Sequence, residues 1–236
     1  MNKLFDPNLE FDEKEHKYTL LSKPEMEFTS TTSFIHTFFK PFEAEKTAEK
    51  LVTHVPKYKN KTKEEVLADW KKSADDGTAV HKELERYILN RRTRPKYPKA
   101  REGVKWIKDR VYSNPSFTVY TEATLYSEEI KITGTIDLLI YNDATDEYVL
   151  GDWKTNKMIR QTGFKGAMGT KWPCKELEDC NYNHYALQLS MYRYLLEKYY
   201  GLTVKNQFLI HLRESKSVEY PLPYLKDTIE GMLVPF

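Results

Sequence analysis

The stretch GTIDLLI at residues 134–140, followed by YVLGDWKT at residues 148–155, decides the fold of this chain. Each half reads as a short apolar strand, because valine, isoleucine, leucine and tyrosine favour a pleated, half-buried surface. The first strand carries a lone acid, Asp137, and the second ends on Asp152 and Lys154. Since a buried carboxylate without a partner is costly, two acids and a lysine on neighbouring strands predict a site that holds a divalent cation.

The composition indicates one α/β domain that is not a membrane protein. The 236 residues can bury one sizeable core. No apolar run has the length of a membrane span, and residues 1–7 resemble neither a signal peptide nor a transit peptide, so we expect a protein that is not secreted. The 37 basic and 35 acidic residues give a net charge of only +2, so any contact with nucleic acid must come from locally sorted charge.

Periodicity and cap residues predict the remaining elements. Helices are expected after a Thr/Ser cap at 29–33 and over 42–51, 62–73, 101–112, 182–200 and 226–233, with a further helix capped by residues 75–78. Strands are expected as a hairpin over 9–28, as an antiparallel meander over 117–126, 131–141 and 147–154, and over 206–213. We divide the single domain into an N-terminal region of a hairpin and helices (1–74), a catalytic core (75–214) and a C-terminal extension (215–236).

The residue types at the two strands fit hydrolysis of a phosphodiester. A Mg²⁺ or Mn²⁺ ion held by Asp137 and Asp152 would polarise the phosphoryl oxygen and lower the pKa of a bound water. Lys154 lies on the same side of its strand as Asp152, because side chains repeat every two residues. The carbonyl of Trp153 is a candidate oxygen ligand. His81 is a candidate imidazole ligand, which would favour Mn²⁺.

The Asp-x-Lys pattern is weak evidence alone, because Asp69-Trp70-Lys71 repeats the tripeptide Asp152-Trp153-Lys154. The first copy lies in a helical pattern without a preceding strand, which predicts a solvated helix face. Asp137 also fits a solvent-facing strand position, and His81 an ordinary helix position. Glu122 fits either a supporting acid near the site or a solvent-facing strand residue.

Four motifs in order strengthen the catalytic interpretation. They are Gly77-Thr78-x-x-His81, Gly134-Thr135-x-Asp137, Gly151-Asp152-x-Lys154-Thr155 and Gln188-x-x-x-Tyr192. Their order and spacing resemble the RecB-like branch of the PD-(D/E)xK nucleases, and in particular stand-alone phage exonucleases and mitochondrial genome maintenance-type exonucleases. The resemblance implies a central mixed sheet flanked by helices and cleavage of DNA with Mg²⁺ or Mn²⁺.

The resemblance also implies roles for the motif residues. His81, Asp137 and Asp152 would be metal ligands, and Lys154 would be the catalytic lysine. The remaining implied residues, which would bind substrate or hold Lys154, are Gln188, Tyr192 and Thr155. Core packing is the alternative role for Tyr192, since it also lies on the apolar stripe of its helix.

The chain departs from some relatives. Cys174 and Cys180 cannot supply the four thiolates of an iron–sulfur cluster, so none is expected, and no helicase phosphate-binding loop is present. The resemblance therefore implies a nuclease module of a bacterial or phage-infected cytoplasm, with a replication or recombination protein as a possible partner.

We expect the substrate to be DNA with ends, in particular single-stranded DNA. It would enter past the basic segments 57–61, 91–99 and 160–171, with Trp172 available to stack bases. A structure-specific endonuclease for flaps or junctions and a non-catalytic DNA-binding scaffold are the alternatives. Strand polarity and oligomeric state stay open.

Overall fold

A computed structural model describes residues 4, 6–12, 15 and 17–234 of the chain. It is a mixed α/β structure. The strands are β1 (Leu9–Asp12), β2 (Lys17–Leu20), β3 (Thr29–Ser30), β4 (Phe117–Tyr120), β5 (Ala123–Ser127), β6 (Ile132–Ile136), β7 (Leu138–Asn142), β8 (Glu147–Lys154), β9 (Val204–Leu212) and β10 (Ser217–Pro221). The helices are α1 (Thr31–His36), α2 (Ala44–His54), α3 (Lys63–Leu89), α4 (Pro98–Arg110), α5 (Asn181–Tyr199) and α6 (Lys226–Leu233).

The main sheet has five strands in the order β10-β9-β8-β7-β4. Its β8–β9 pair is parallel and its other pairs are antiparallel, so the predicted mixed sheet flanked by helices is confirmed. Apolar side chains of α3 and α4 pack on one face around Trp153. Those of α5 and α6 pack on the other face around Leu150. Because the side chains of β8 alternate, Asp152 and Lys154 share the α5 side with Leu150.

The expected meander is antiparallel as predicted, but two of its three long strands are interrupted. The predicted strand 117–126 breaks at residues 121–122 into β4 and β5, and the predicted strand 131–141 breaks at Asp137 into β6 and β7. Each broken strand then contributes to two sheets. β5 and β6 join β3 in a three-stranded sheet, while β4 and β7 remain in the main sheet. The hairpin therefore bends at a corner, and Asp137 lies at that corner.

The prediction of two helices separated by a cap at residues 75–78 is wrong, because α3 is continuous over 27 residues. It begins at the predicted capping box of Thr62 and Glu65. Asp75 and Asp76 do not cap a helix; each forms an ion pair with the lysine four residues earlier, at 2.8 and 2.6 Å. Such i,i+4 pairs stabilise a helix interior. The boundary that we placed after residue 74 thus falls within α3.

At the N-terminus, β1 and β2 form a hairpin that is shorter than predicted, because it ends at Leu20 and residues 21–28 contain no strand. Ser30 caps α1 by accepting a hydrogen bond from the Ser33 N–H at 3.2 Å. Residues 13, 14 and 16 of the predicted hairpin lie outside the described residues. At the other end, the C-terminal extension contains β10, which was not predicted. This strand pairs with β9. None of the helices in the described part of the chain combines the length and apolar character needed to cross a bilayer.

Substitution of Asp75 by proline tests the continuity of α3. A proline in a helix interior removes a backbone hydrogen bond and clashes with the carbonyl four residues earlier, so we expect a loss of about 3 kcal/mol or more in the free energy of unfolding. Urea denaturation measures it. The control is Lys63→Pro at the first position of the same helix, where proline is tolerated. Equal stability of the two variants would contradict a continuous helix.

Candidate active site

The centre of the candidate site is the corner of the bent hairpin. On one side, Glu122 has a φ of 50°, a left-handed conformation that is uncommon for residues other than glycine. On the other side, Asp137 interrupts β6 and β7. The Thr121 hydroxyl bridges the two breaks by donating to the Asp137 carbonyl at 3.0 Å. The backbone thus turns Asp137 and Glu122 toward the same region.

Asp137 is held by β8 and by α3 together. Its Oδ2 accepts a hydrogen bond from the Trp153 N–H at 3.1 Å and lies 3.2 Å from His81 Nδ1. Burial raises the pKa of Asp137, but His81, Lys154 and the Trp153 N–H outweigh it, so that the pKa is lowered. Burial lowers the pKa of His81 and the Asp137 carboxylate more than compensates, so that this pKa is raised. The two form an ion pair at moderately acidic pH.

Asp152 and Lys154 form the second pair of the site. Lys154 Nζ lies 2.6 Å from Asp152 Oδ2 and 4.4 Å from the centre of the Tyr185 ring. Asp152 is only 2% exposed. Burial raises its pKa to about 6, with the negative charge of Asp137 adding and Lys154 opposing. Burial lowers the pKa of Lys154, but the charges of Asp152 and Asp137 prevail and raise it.

Glu122 joins these residues as a further acid. Its pKa is raised to about 8. Burial is the largest cause, and the negative charges of Asp137 and of Glu85 on α3 raise the pKa in the same direction. The sequence left open whether this residue faces solvent or supports the site. The structure places it half-buried at the corner, within the electrostatic reach of Asp137, Asp152 and His81.

Two further predicted site residues, Trp153 and Thr155, lie at the end of β8 and differ in their surroundings. Trp153 contributes its N–H to Asp137, while its side chain is buried on the α4 side, with its ring edge-on to Trp106 at 5.7 Å. Thr155 follows β8, and its carbonyl accepts a hydrogen bond from Lys99 of α4 at 2.7 Å. A Cβ atom at Gly77 would approach Thr155 Oγ1 to 2.9 Å, so glycine allows α3 to come close here.

Gln188 and Tyr192 of α5 lie beneath the corner. Gln188 Nε2 donates to the Tyr192 hydroxyl at 3.2 Å. Tyr192 is 4% exposed, and a Cβ atom at Gly134 would lie only 2.4 Å from its ring. The core role of Tyr192 is therefore real, and Gln188 is the half-buried member of the pair. The aromatic partner of Lys154 is Tyr185, about one turn before Gln188, a residue outside the four sequence motifs.

The segment between β8 and α5, which includes the basic stretch 160–171, is built on short turns. It contains two 3₁₀ turns, Phe164–Gly166 and Cys174–Glu176. Its two cysteines, Cys174 and Cys180, are buried free thiols. Trp172, expected to stack on bases, is 57% exposed, but a Cβ atom at Gly231 of α6 would lie 2.9 Å from the edge of its ring.

Comparisons with known proteins add little to this geometry. No protein-family model matches the chain. No curated protein matches it. Among 18 matching chains of solved structures is one titled "Crystal structure of SSO0001", with 16% identity and a TM-score of 0.38, covering 86% of this chain and 71% of that chain. At this TM-score the likeness says nothing about activity.

Substitution of Gly134 by alanine tests the packing beneath the corner. The added methyl would overlap the Tyr192 ring, and overpacking of this kind costs about 1–3 kcal/mol in the free energy of unfolding. Chemical denaturation of Gly134→Ala, Tyr192→Leu and the double variant forms a thermodynamic cycle. We expect the alanine to be better tolerated beside leucine. A cost that is the same in both backgrounds would contradict the contact.

Proposed function

We propose that the protein is a metal-dependent DNA exonuclease with a PD-(D/E)xK core, acting on single-stranded or end-containing DNA in replication, recombination or repair. The observation that carries the proposal is the convergence of Asp137, Asp152, Lys154 and His81 at one largely buried corner. The two acids come from neighbouring strands and each has its pKa perturbed by the other members of the site. Such perturbed groups, when clustered, favour a functional role.

The side chains at the corner suit a hard divalent cation. Asp137, Asp152, Glu122 and Glu85 provide carboxylates, against the two basic groups His81 and Lys154, and oxygen ligands with one imidazole suit Mg²⁺ or Mn²⁺. Asp152 Oδ2 is buried and has no aligned hydrogen bond from any described residue. Lys154 Nζ lies 2.6 Å from this oxygen, so a metal ion bound here would share the carboxylate with the lysine.

As they stand, no three acidic, histidine or cysteine side chains of the described residues are arranged to hold a metal. The contacts of the two aspartates explain why they do not converge on one point. Asp137 Oδ2 faces His81 and the Trp153 N–H, while Asp152 Oδ2 faces Lys154. We propose that Asp137, Asp152 and His81, with the Trp153 carbonyl, hold the ion. When bound, Mg²⁺ or Mn²⁺ supplies Lewis-acid polarisation of the phosphate and a more acidic water.

Lys154 has the charge and the fixed position that phosphodiester hydrolysis requires. Because its pKa is raised, it keeps its proton at neutral pH. It is thus suited to stabilise negative charge that develops on the phosphate, rather than to accept a proton. Asp152 and the Tyr185 ring fix the ammonium group from two sides.

We assign the three proposed substrate-binding residues according to their exposure. Gln188 and Thr155 are half-buried, and we propose that they contact DNA at the rim of the site. Tyr192 supports β6 from below through Gly134 and positions the corner.

Substitution of Lys154 by alanine is the central test of this proposal. We expect at least a 100-fold loss in cleavage rate, the scale of removing one preorganised electrostatic group, with DNA affinity largely retained. Rates on end-labelled DNA with Mn²⁺ or Mg²⁺ measure the first, and fluorescence anisotropy the second. Lys71→Ala is the matched control, because it alters the exposed duplicate of the same tripeptide. Full activity of Lys154→Ala would refute the assignment.

Metal removal and DNA topology test the remaining parts of the proposal. EDTA should stop cleavage, and excess Mn²⁺ or Mg²⁺ should restore it.

Covalently closed single-stranded circles should stay intact while linear strands of the same sequence are degraded. Cleavage of the circles would instead identify an endonuclease, and no cleavage of any DNA with Mn²⁺ would favour a non-catalytic DNA-binding protein.

A further inference from the structure

A pair of aromatic side chains, one exposed and one half-buried, lies on the helical N-terminal region. Phe42, just before α2, is 71% exposed, and its ring centre lies 5.6 Å from that of Trp70 on α3. The two rings are tilted by 52°. A largely exposed ring packed beside a half-buried one favours a binding surface, because aromatic rings offer faces on which other rings stack.

The pair is aligned with the candidate active site by α3. Trp70, Ala74, Gly77 and His81 are spaced by four, three and four residues, so they share one face of the helix. On this face Gly77 meets Thr155 and His81 meets Asp137. At 1.5 Å per residue, Trp70 lies about 16 Å along the helix from His81. The intervening Ala74 is small and exposed, which leaves the path between them open.

Positive charge lies on two sides of the pair. The turn before α3 carries lysines at 57, 59 and 61, and Lys61 contacts Asp69, the neighbour of Trp70. Lys63, the first residue of α3, forms an ion pair with Glu45 at 2.7 Å. The pKa of Asp69 is lowered first by Lys61 and also by the charge of Lys157, which follows β8 by three residues. Cations from the turn and from the loop after β8 therefore approach the same end of α3.

We infer that Phe42 and Trp70 form a base-stacking platform for single-stranded DNA. The backbone of the bound DNA would run along α3 to the corner. The inference rests on the proposed nuclease function for the identity of the substrate. Aromatic faces beside cations fit single strands, because unpaired bases expose their faces and the phosphates attract lysine. Duplex bases are already stacked and cannot use such a platform.

The test measures binding of fluorescein-labelled oligonucleotides in EDTA, so that no cleavage occurs. The probes are oligothymidylate of about 12 nucleotides, an abasic chain with the same phosphates, and a duplex of equal length. Phe42→Ala and Trp70→Ala should each weaken oligothymidylate binding by roughly 5- to 150-fold, the range per stacked base. Binding of the abasic chain and the duplex should change less than twofold.

Two further variants separate stacking from other causes. Leu89→Ala removes an equally exposed side chain (72%) at the opposite end of the same helix and should leave binding unchanged. Phe42→Leu keeps the apolar bulk without the ring and should bind as weakly as Phe42→Ala. Wild-type binding by Phe42→Leu and Phe42→Ala would overturn the inference, as would an equal loss on all three probes.

Failure of the inference and failure of the proposed function give different results. Hydrolysis of the p-nitrophenyl ester of thymidine 5′-phosphate, with Mn²⁺, reports on the corner alone, because this molecule is too short to reach Phe42. Phe42→Ala should cleave it at the wild-type rate. If wild type cleaves no phosphodiester but the ring-dependent binding is observed, the platform stands without the nuclease. If Phe42→Ala alters only sedimentation of the protein, the pair is a contact between copies and the platform is overturned.

Discussion

The hydrogen bond from the Trp153 N–H to Asp137 is the interaction on which the candidate site depends. It joins the end of β8 to the point where the hairpin leaves one sheet and enters the other. A carboxylate at that point is buried among backbone groups, and it is stable as an anion because the amide and His81 compensate for lost hydration. The bend of the sheet and the position of the acid are therefore one structural feature.

The charge balance of the corner follows from this arrangement. Burial raises the pKa values of Asp152 and of the half-buried Glu122, and once Asp137 is held as an anion its negative charge adds to both shifts. Lys154 opposes the effect on Asp152, and His81 that on Glu122. The corner consequently has more acidic groups than its own basic groups can neutralise. This imbalance is costly for folding and favourable for binding a cation, as is common where stability is exchanged for function.

Local signals predicted the elements that depend on local chemistry. The strand 147–154 was predicted at its observed ends, and the capping box of α3 is formed as expected. The interruption at Asp137 was not predictable, because it depends on which sheet each half of the hairpin joins. The continuity of α3 was missed since Asp75, Asp76 and Gly77 are typical of caps, and only the lysines one turn earlier show their role as helix partners. The Tyr185 contact with Lys154 needed the tertiary packing.

The unbroken α3 also restricts how this chain can change its length. An α-helix turns by about 100° per residue, so one inserted residue between Trp70 and His81 would rotate the two onto different faces. A seven-residue insertion would restore the alignment to within about 20° and move the aromatic pair about 10 Å further away. Length variation in residues 71–80 thus preserves the present geometry best in steps of nearly two turns, whereas the loops on either side of the helix have no such periodicity.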